Sequence, residues 1–333
     1  MSTLGLVVLI ICIALVFDFV NGFHDAANSI ATVVATRVLN PVQAVVMAAA
    51  FNFLAAYFLG TGVASTVGKG FVNTGIVTPY VLLAGLTGAI IWNILTWYLG
   101  LPISSSHSLI GGYAGAALAK AGIHGLIVGK WPSTISFIVL APLIGLALGY
   151  TLMVAVYWIF QSSTPARMDR YFRHAQILSA ALLSCAHGTN DAQKTMGIIT
   201  AVLVAGGFQR GFHVPDWVIL ASAAAMGLGT LSGGWRVVRT LGTRLTRLKP
   251  RSGFCAETGA AISILFATWL ALPVSTTHVV AGAIAGVGSI QRVRAVRWNV
   301  AGDIVTAWLL TIPAAALVSA ITFFLIHMLV RNA

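Results

Sequence analysis

Two short polar runs, each set inside apolar sequence, carry the residue types best suited to chemistry. The first, NGFHDAAN, spans residues 21–28, and the second, HGTNDAQK, spans residues 187–194. Each contains one aspartate, and these aspartates lie about half the chain apart. A carboxylate in a membrane segment is costly unless a cation, a proton or a hydrogen-bond donor accompanies it. A duplicated pair of such runs is typical of a transporter whose site lies near the bilayer midplane.

The oxygen atoms of the two runs suit a hard cation. Sodium, magnesium and other hard ions prefer carboxylate, amide and backbone carbonyl ligands, although the same carboxylates could instead carry a proton. A third interpretation is purely structural, in which the aspartates cap broken helix ends. The predicted coupling-ion residues are Asp25, Asp191, Asn21, His24 and Asn190. Asp25 and Asp191 are also the predicted ligands of a divalent metal or sodium ion carried as co-substrate, and no resident cofactor is expected.

A second duplicated motif, LPISSSH at 101–107 and LPVSTTH at 272–278, follows the polar runs. Its proline ends one helix and its Ser/Thr residues begin the next, which is an N-cap signature. A helix N-terminus at membrane depth offers unpaired N–H groups and a positive dipole end, which favour an anion. The alternative is that the hydroxyls only cap buried helix ends. The predicted anion-binding residues are Ser104, Ser105, Ser106, Ser275, Thr276, Thr277, Asn28 and Lys194.

The two polar runs differ at their last residue, where Asn28 corresponds to Lys194. A fixed ammonium group would stand where a second coupling cation could sit, or it would bind the anion directly. This difference favours proton coupling or metal–anion coupling over a mechanism with several sodium ions.

The composition indicates an integral, all-helical membrane protein. The 333 residues are 58% hydrophobic and 8% charged, with a mean hydropathy of +0.93, whereas soluble domains carry about 25% charged residues. At about 20 residues per span, the apolar segments allow about eight to twelve membrane elements. The net charge of +12 is explained by basic cytoplasmic loops, so no nucleic-acid partner is expected.

The duplication divides the chain into residues 1–161, a cytoplasmic linker at 162–175, and residues 176–333. The segment 61–77 holds one basic residue, but its counterpart 236–251 holds six. Basic loops collect in the cytoplasm, so the two halves are predicted to be inverted repeats. Each half is expected to contain a helix broken at its polar run and a re-entrant helical hairpin, at 79–119 and 254–290.

These motifs resemble those of the inorganic phosphate transporter (PiT) family. GFHDAAN at 22–28 and HGTND at 187–191 resemble its duplicated Gly-Ala-Asn-Asp signature, and the Leu-Pro-x-Ser-x-x-His sequence after each is similar as well. The resemblance covers nearly the whole chain. It implies a multi-pass secondary active transporter of the plasma (inner) membrane, with no enzyme activity, that imports inorganic phosphate and forms a homodimer.

Four residues are similar to one branch of that family. Phe23 and His24 stand in place of Ala-Asn, and Gln193 and Lys194 replace the ending of the sodium-type pattern. This combination resembles the bacterial, proton-coupled, low-affinity branch, which moves phosphate, often as a neutral complex with a divalent metal. The two inverted repeats predict alternating access at their interface, with one repeat moving against the other.

Several rival functions remain open at this point. A sulfate permease or a sodium-coupled phosphate symporter would share the architecture. An intramembrane metal hydrolase could use His24, Asp25, His187 and Asp191, although the sequence has no nucleophile motif and its symmetric duplication argues against one. A passive channel is the fourth rival function.

Overall fold

The protein is built from helices throughout the part of the chain that the computed structural model describes, residues 3–58, 60–72, 74–290 and 293–331. The first half contains α1 (Thr3–Ala35), α2 (Pro41–Phe58), α3 (Gly62–Gly70), α4 (Pro79–Leu99), α5 (Ser105–Ala121) and α6 (Trp131–Ile159). The second half contains α7 (Pro165–Ala205), α8 (Asp216–Ser232), α9 (Trp235–Arg239), α10 (Pro250–Trp269), α11 (Thr276–Ser289) and α12 (Trp298–Arg331). The all-helical class is confirmed, and the order of elements in the first half recurs in the second.

Four of the described helices are suited to lipid. Helices α1, α4, α6 and α12 are each long and apolar enough to cross a membrane, and the pairs α2–α3 and α8–α9 qualify as bent spans. Large apolar side chains such as Trp158 and Trp269 are exposed on the outside. The protein is therefore a multi-pass membrane protein, while the opposite orientation of its halves stays a prediction.

The polar runs lie inside continuous helices, so the expected helix break at each run is wrong. Helix α1 continues through 21–28, and α7 continues through 187–194. The polar side chains find partners on neighbouring helices, so the backbone keeps its own hydrogen bonds. Each half does contain a bent span, of 80° for α2–α3 and 60° for α8–α9. The bends occur around Gly60 and Gly233, whose φ values of 91° and 63° suit glycine.

The segments expected to be loops are more ordered than predicted. Residues 61–77 contain α3, and 236–251 contain most of α9 followed by a π-helical turn, Thr240–Arg244. The expected linker 162–175 is helical from Pro165 onward, because Thr164 caps the start of α7 by accepting a hydrogen bond from the Arg167 N–H. Proline at the first helical position favours the same start.

Two helical hairpins present the Ser/Thr motifs. Hairpin 1 is α4 and α5 joined by residues 100–104, and hairpin 2 is α10 and α11 joined by residues 270–275. Both turns place the hydroxyl residues at the N-terminus of the second helix. The two hairpins are as expected, and their re-entrance from opposite sides of the bilayer stays a prediction.

The two halves are interleaved rather than packed side by side. Helix α1 packs on α8 while α2 packs on α7, and α5 packs on α12 while α11 packs on α6. Two glycines allow the close central contacts. A Cβ on Gly22 would lie 2.3 Å from the Met226 carbonyl oxygen, and one on Gly188 would lie 2.5 Å from the Asn52 backbone. Movement of one whole half against the other would have to break these contacts, and the predicted motion of one repeat against the other stays a prediction.

The contact at Gly188 makes a testable prediction about stability. Gly188→Ala should destabilise the protein by roughly 1–3 kcal/mol, since the added methyl group forces α7 away from α2. The matched control is Gly302→Ala on α12, where an added Cβ meets nothing within 4 Å. Thermal unfolding in detergent would compare the two variants with wild type. An unchanged unfolding temperature for Gly188→Ala, beside an unchanged control, would contradict the prediction.

Candidate functional site

The two polar runs meet at the centre of the molecule. Ligand atoms of Asp25, His187 and Asp191 all lie within 4.8 Å of one another, and the three residues are buried. Asp25 comes from α1 and the other two from α7, so both halves contribute. Two carboxylates and one imidazole at this separation can hold a divalent cation or share a proton.

Asp191 is the most heavily partnered residue of this cluster. The His187 Nε2 lies 3.2 Å from Asp191 Oδ2, and the Lys194 ammonium group forms an ion pair with Oδ1. The Thr276 hydroxyl donates a hydrogen bond to Oδ2 at 3.2 Å. These contacts tie α7 to hairpin 2 through one buried carboxylate.

Lys194 connects both hairpins. Its Nζ donates to the Ser106 hydroxyl of hairpin 1 and, at 3.1 Å, to the Val274 carbonyl of hairpin 2. The side chain is 2% exposed. A buried ammonium group therefore stands where the N-termini of α5 and α11 approach each other.

Asn28 occupies the corresponding place on α1. Its amide donates to Thr276 Oγ1 at 3.2 Å and to Thr277 Oγ1 at 2.9 Å. The last residue of each polar run thus contacts the hairpin tips. The structure therefore brings Asn28, Lys194 and the Ser/Thr motifs together, as the sequence predicts.

The hydroxyl residues of the hairpins include two helix caps and one serine without a hydrogen-bond partner. Ser104 and Ser275 are N-caps, each accepting a hydrogen bond at 3.2 Å, from the His107 and His278 N–H groups respectively. For these two serines the structural interpretation holds. Ser105 Oγ is buried without a hydrogen-bond partner among the residues described. Ser105 is the first residue of α5, and its role in holding an anion stays a prediction.

The other three predicted coupling-ion residues, His24, Asn190 and Asn21, differ from one another in their hydrogen-bond partners. His24 Nδ1 lies 2.8 Å from Asp25 Oδ1, and its Nε2 is 3.4 Å from the Thr96 hydroxyl. The Asn190 amide donates to Thr268 at 2.8 Å and to the Leu272 carbonyl at 3.3 Å. The Asn190 amide therefore links α7 to the end of α10. The Oδ1 atoms of Asn190 and Asn21 are buried without a hydrogen-bond partner among the described residues, and their role at a coupling ion stays a prediction.

Asn52 is a site residue that the sequence reasoning missed. Its amide donates to Thr230 Oγ1 at 2.9 Å, and Thr230 in turn donates to the Met226 carbonyl. The Asn52 Oδ1 therefore faces His187, 3.3 Å from Nδ1. An amide in the middle of the apolar α2 was the available signal, because a buried polar side chain needs a partner.

This chain of hydrogen bonds orients the imidazole of His187. Since Asn52 presents its oxygen, His187 Nδ1 must carry the hydrogen. The Nε2 then faces Asp191 Oδ2, which already accepts from Thr276. The Nε2 has no hydrogen-bond partner among the described residues, although Asp191 Oδ2 lies only 3.2 Å away, and a proton or a cation would fit between the two atoms.

Comparisons with known proteins agree with this arrangement. The model of the phosphate transporter family matches twice, over residues 21–170 and 160–319. The chain belongs to that family. A probable low-affinity inorganic phosphate transporter of Rhizobium meliloti is 54% identical over 320 residues, covering 96% of each chain. Its counterpart in Bacillus subtilis is 45% identical and covers 97% of this chain and 98% of its own.

A solved structure supports the same family. It is described as the sodium-dependent phosphate transporter and superposes with a TM-score of 0.90 at 25% identity, covering 97% of this chain and 99% of its own. The predicted family membership is confirmed. As a member of the phosphate transporter family, the protein is a transporter and not an enzyme, which removes the metal-hydrolase hypothesis.

Proposed function

We propose that the protein imports inorganic phosphate across the plasma (inner) membrane by proton-coupled symport. The observation that carries the proposal is the position of Lys194, whose ammonium group joins Ser106, Val274 and Asp191 between two helix N-termini. The names of the relatives from Rhizobium meliloti and Bacillus subtilis support phosphate as the anion.

Phosphate would bind by replacing protein contacts of Lys194. The ammonium group, the first-turn N–H groups of α5 and α11, and the Ser105 hydroxyl supply donors from two sides. Phosphate at neutral pH still carries a proton, which a nearby carboxylate can accept, whereas sulfate has none to offer. Asp25 and Asp191 therefore favour phosphate over sulfate, the alternative anion.

The coupling cation would act at His187 and Asp191. A proton on His187 Nε2 turns the facing pair of acceptors into an ion pair, and its release would leave them repelling. The same cluster, with Asp25, fits a divalent ion that accompanies phosphate as cargo. A neutral metal–phosphate complex would reduce the cost of moving charge through the bilayer.

The interleaved packing suggests which parts move. Helices α1, α2, α7 and α8 pack together, α5 packs on α12, and α11 packs on α6, while α4 packs on both α12 and α1 and α10 packs on both α7 and α6. Alternating access would then displace the hairpin groups against the central helices. The phosphate would lie at the boundary between these bodies, as in transporters built from structural repeats. Assembly as a homodimer belongs to the same proposal.

Labelled phosphate uptake into proteoliposomes tests the proposal. We expect accumulation when the outside is made acidic, little response to an imposed sodium gradient alone at constant pH, and no loss of uptake in excess sulfate. Equilibration without accumulation under any gradient would indicate a passive channel. Competition by sulfate, with labelled sulfate uptake, would favour the sulfate permease, and accumulation that follows the sodium gradient at constant pH would favour the sodium symporter.

A further inference from the structure

An apolar groove with a volume of about 260 Å³ opens on the outside of the molecule between α6 and α12. All of its lining residues are apolar. The buried residues at its floor are Ala281, Gly282 and Ala285 of α11, while Val305 of α12 is 45% exposed at its edge. Helix α6 packs on α11 and α10, whereas α12 packs on α4 and α5. The groove therefore separates the two groups of helices that carry the hairpins.

The groove has the length of one lipid tail. Its lining residues on α12 extend from Trp298 to Leu309, which is about 16 Å at a rise of about 1.5 Å per residue. The hydrocarbon core of a bilayer is about 30 Å thick, so this length matches about one leaflet. A helix of the same length and about 10 Å in diameter would occupy more than about 1,000 Å³, far more than the groove offers. The space therefore suits an acyl chain and not a helix.

Two arginines lie beside one end of the groove. Leu245 and Trp298 line this end, and each follows an arginine in the chain, Arg244 and Arg297 respectively. The Arg297 N–H donates to the Leu245 carbonyl at 3.0 Å, and its Nη1 donates to the Arg244 carbonyl at 3.5 Å. Both arginine side chains are exposed. Neither forms an ion pair with a carboxylate among the residues that the structure describes, so both charges are available to an anion.

The other charges at this end are also basic. Arg247 and Arg294 are exposed on the same two segments. The acidic residue of α12, Asp303, lies on the side of that helix opposite to the lining residue Ala301, because each residue turns the helix by about 100°. Basic clusters between membrane helices attract the head groups of anionic lipids. An apolar groove that ends in arginines thus matches a molecule with an apolar tail and an anionic head.

We propose that this groove binds one acyl chain of an anionic phospholipid, whose phosphate group contacts Arg244 and Arg297. At its other end the chain would contact Trp308, which also lines the groove. The Trp308 indole N–H donates to the Pro102 carbonyl of hairpin 1 at 2.8 Å, and its ring stacks on His278 of hairpin 2. A bound lipid would therefore support the residue that joins the tips of the two hairpins.

Lipid binding to the purified protein in detergent tests the proposal. Phosphatidylglycerol, which is anionic, and phosphatidylcholine with the same acyl chains, which is zwitterionic, would be titrated separately and counted by native mass spectrometry. Wild type should retain one phosphatidylglycerol per chain and bind it at least about tenfold more tightly than phosphatidylcholine, as expected for two arginines near a lipid phosphate. Equal retention of the two lipids would overturn the proposal.

Removing the two charges tests the head-group end of the groove. Arg244→Gln/Arg297→Gln should lose the preference for phosphatidylglycerol, because both guanidinium groups are gone. The matched control is Arg167→Gln/Arg170→Gln, which removes two exposed arginines from the start of α7 and should keep the preference. A preference that survives in the first variant, or that disappears equally in both, would overturn the assignment of the head group.

Filling the groove tests the acyl-chain end. Val305→Trp places a larger side chain in the groove and should abolish retention of phosphatidylglycerol at lipid concentrations that saturate wild type. Val154 on α6 provides the matched control, since it is also 45% exposed and does not line the groove. Val154→Trp should retain the lipid as wild type does. Wild-type retention by Val305→Trp would contradict the proposal.

The oligomeric state, read from the same spectra, separates a lipid from a second copy of the chain. If Val305→Trp converted a dimer into a monomer without changing lipid binding, the groove would be a contact between copies and the lipid site would be wrong. If Val305→Trp fails to fold, the double arginine variant decides, because its two substitutions are at exposed positions. These measurements contain no phosphate, so their outcome is independent of the proposed transport function.

Discussion

Lys194→Met is expected to lower phosphate uptake by roughly 100-fold or more. The ammonium group stands between the N-termini of α5 and α11 and contacts Ser106 and Val274. Each hydrogen bond to a charged group contributes about 1.5–3 kcal/mol, and two of them to phosphate correspond to at least two orders of magnitude. Initial rates in proteoliposomes, together with equilibrium phosphate binding, would measure the loss.

A lysine outside the site provides the matched control for this variant. Lys120 ends α5, is exposed, and donates to the Ile76 carbonyl at 2.8 Å. Lys120→Met makes the same chemical change at a different position, since it also replaces an ammonium group with a thioether. This variant should leave uptake close to wild type. Uptake by Lys194→Met at half the wild-type rate or more would contradict the proposed role of Lys194.

The second large effect concerns stability rather than transport. Asp191→Asn should destabilise the protein by about 3–5 kcal/mol, because it leaves the buried Lys194 ammonium group without its carboxylate. The double variant Asp191→Asn/Lys194→Met removes both charges and should recover most of that loss. Unfolding measurements on the two single variants and the double variant would give the interaction energy directly.

The transport readout separates the two roles of this ion pair. The double variant should remain inactive in phosphate uptake although it folds well, since the anion-binding ammonium group is gone. Strictly additive effects on stability would show that Asp191 and Lys194 do not depend on each other. Recovery of uptake in the double variant would show that neither charge takes part in phosphate binding.

The sequence predicted the features that depend on residue type and spacing. Membrane helices, the duplication and the two hairpins follow from apolar length and repeated motifs. Asn28 and Lys194 were recognisable because an amide and an ammonium group in an apolar segment need partners. Ser104 and Ser275 were ambiguous, since the same residue types serve as helix caps and as anion ligands.

Other features depend on tertiary contacts that no local pattern reveals. The polar runs resembled helix breaks, but side-chain partners on α8, α2 and the hairpins allow α1 and α7 to remain continuous. The contact of the Asn190 amide with Thr268 is of the same kind, because the two residues are 78 positions apart in the chain. The Asn52–His187 contact and the interleaving of the halves required the three-dimensional structure.

The correspondence of Asn28 in the first half with Lys194 in the second has a consequence for the sequences of the two halves. The two residues occupy corresponding positions, and each contacts the hairpin of the other half, Asn28 at Thr277 and Lys194 at Ser106. Two identical copies of a half-length protein would place either two ammonium groups or two amides around one cavity. Two buried like charges would repel, and two amides would leave no fixed cation for the anion. A single positive charge between two equivalent hairpins therefore requires two halves that differ in sequence, which this chain provides by carrying both halves in one polypeptide.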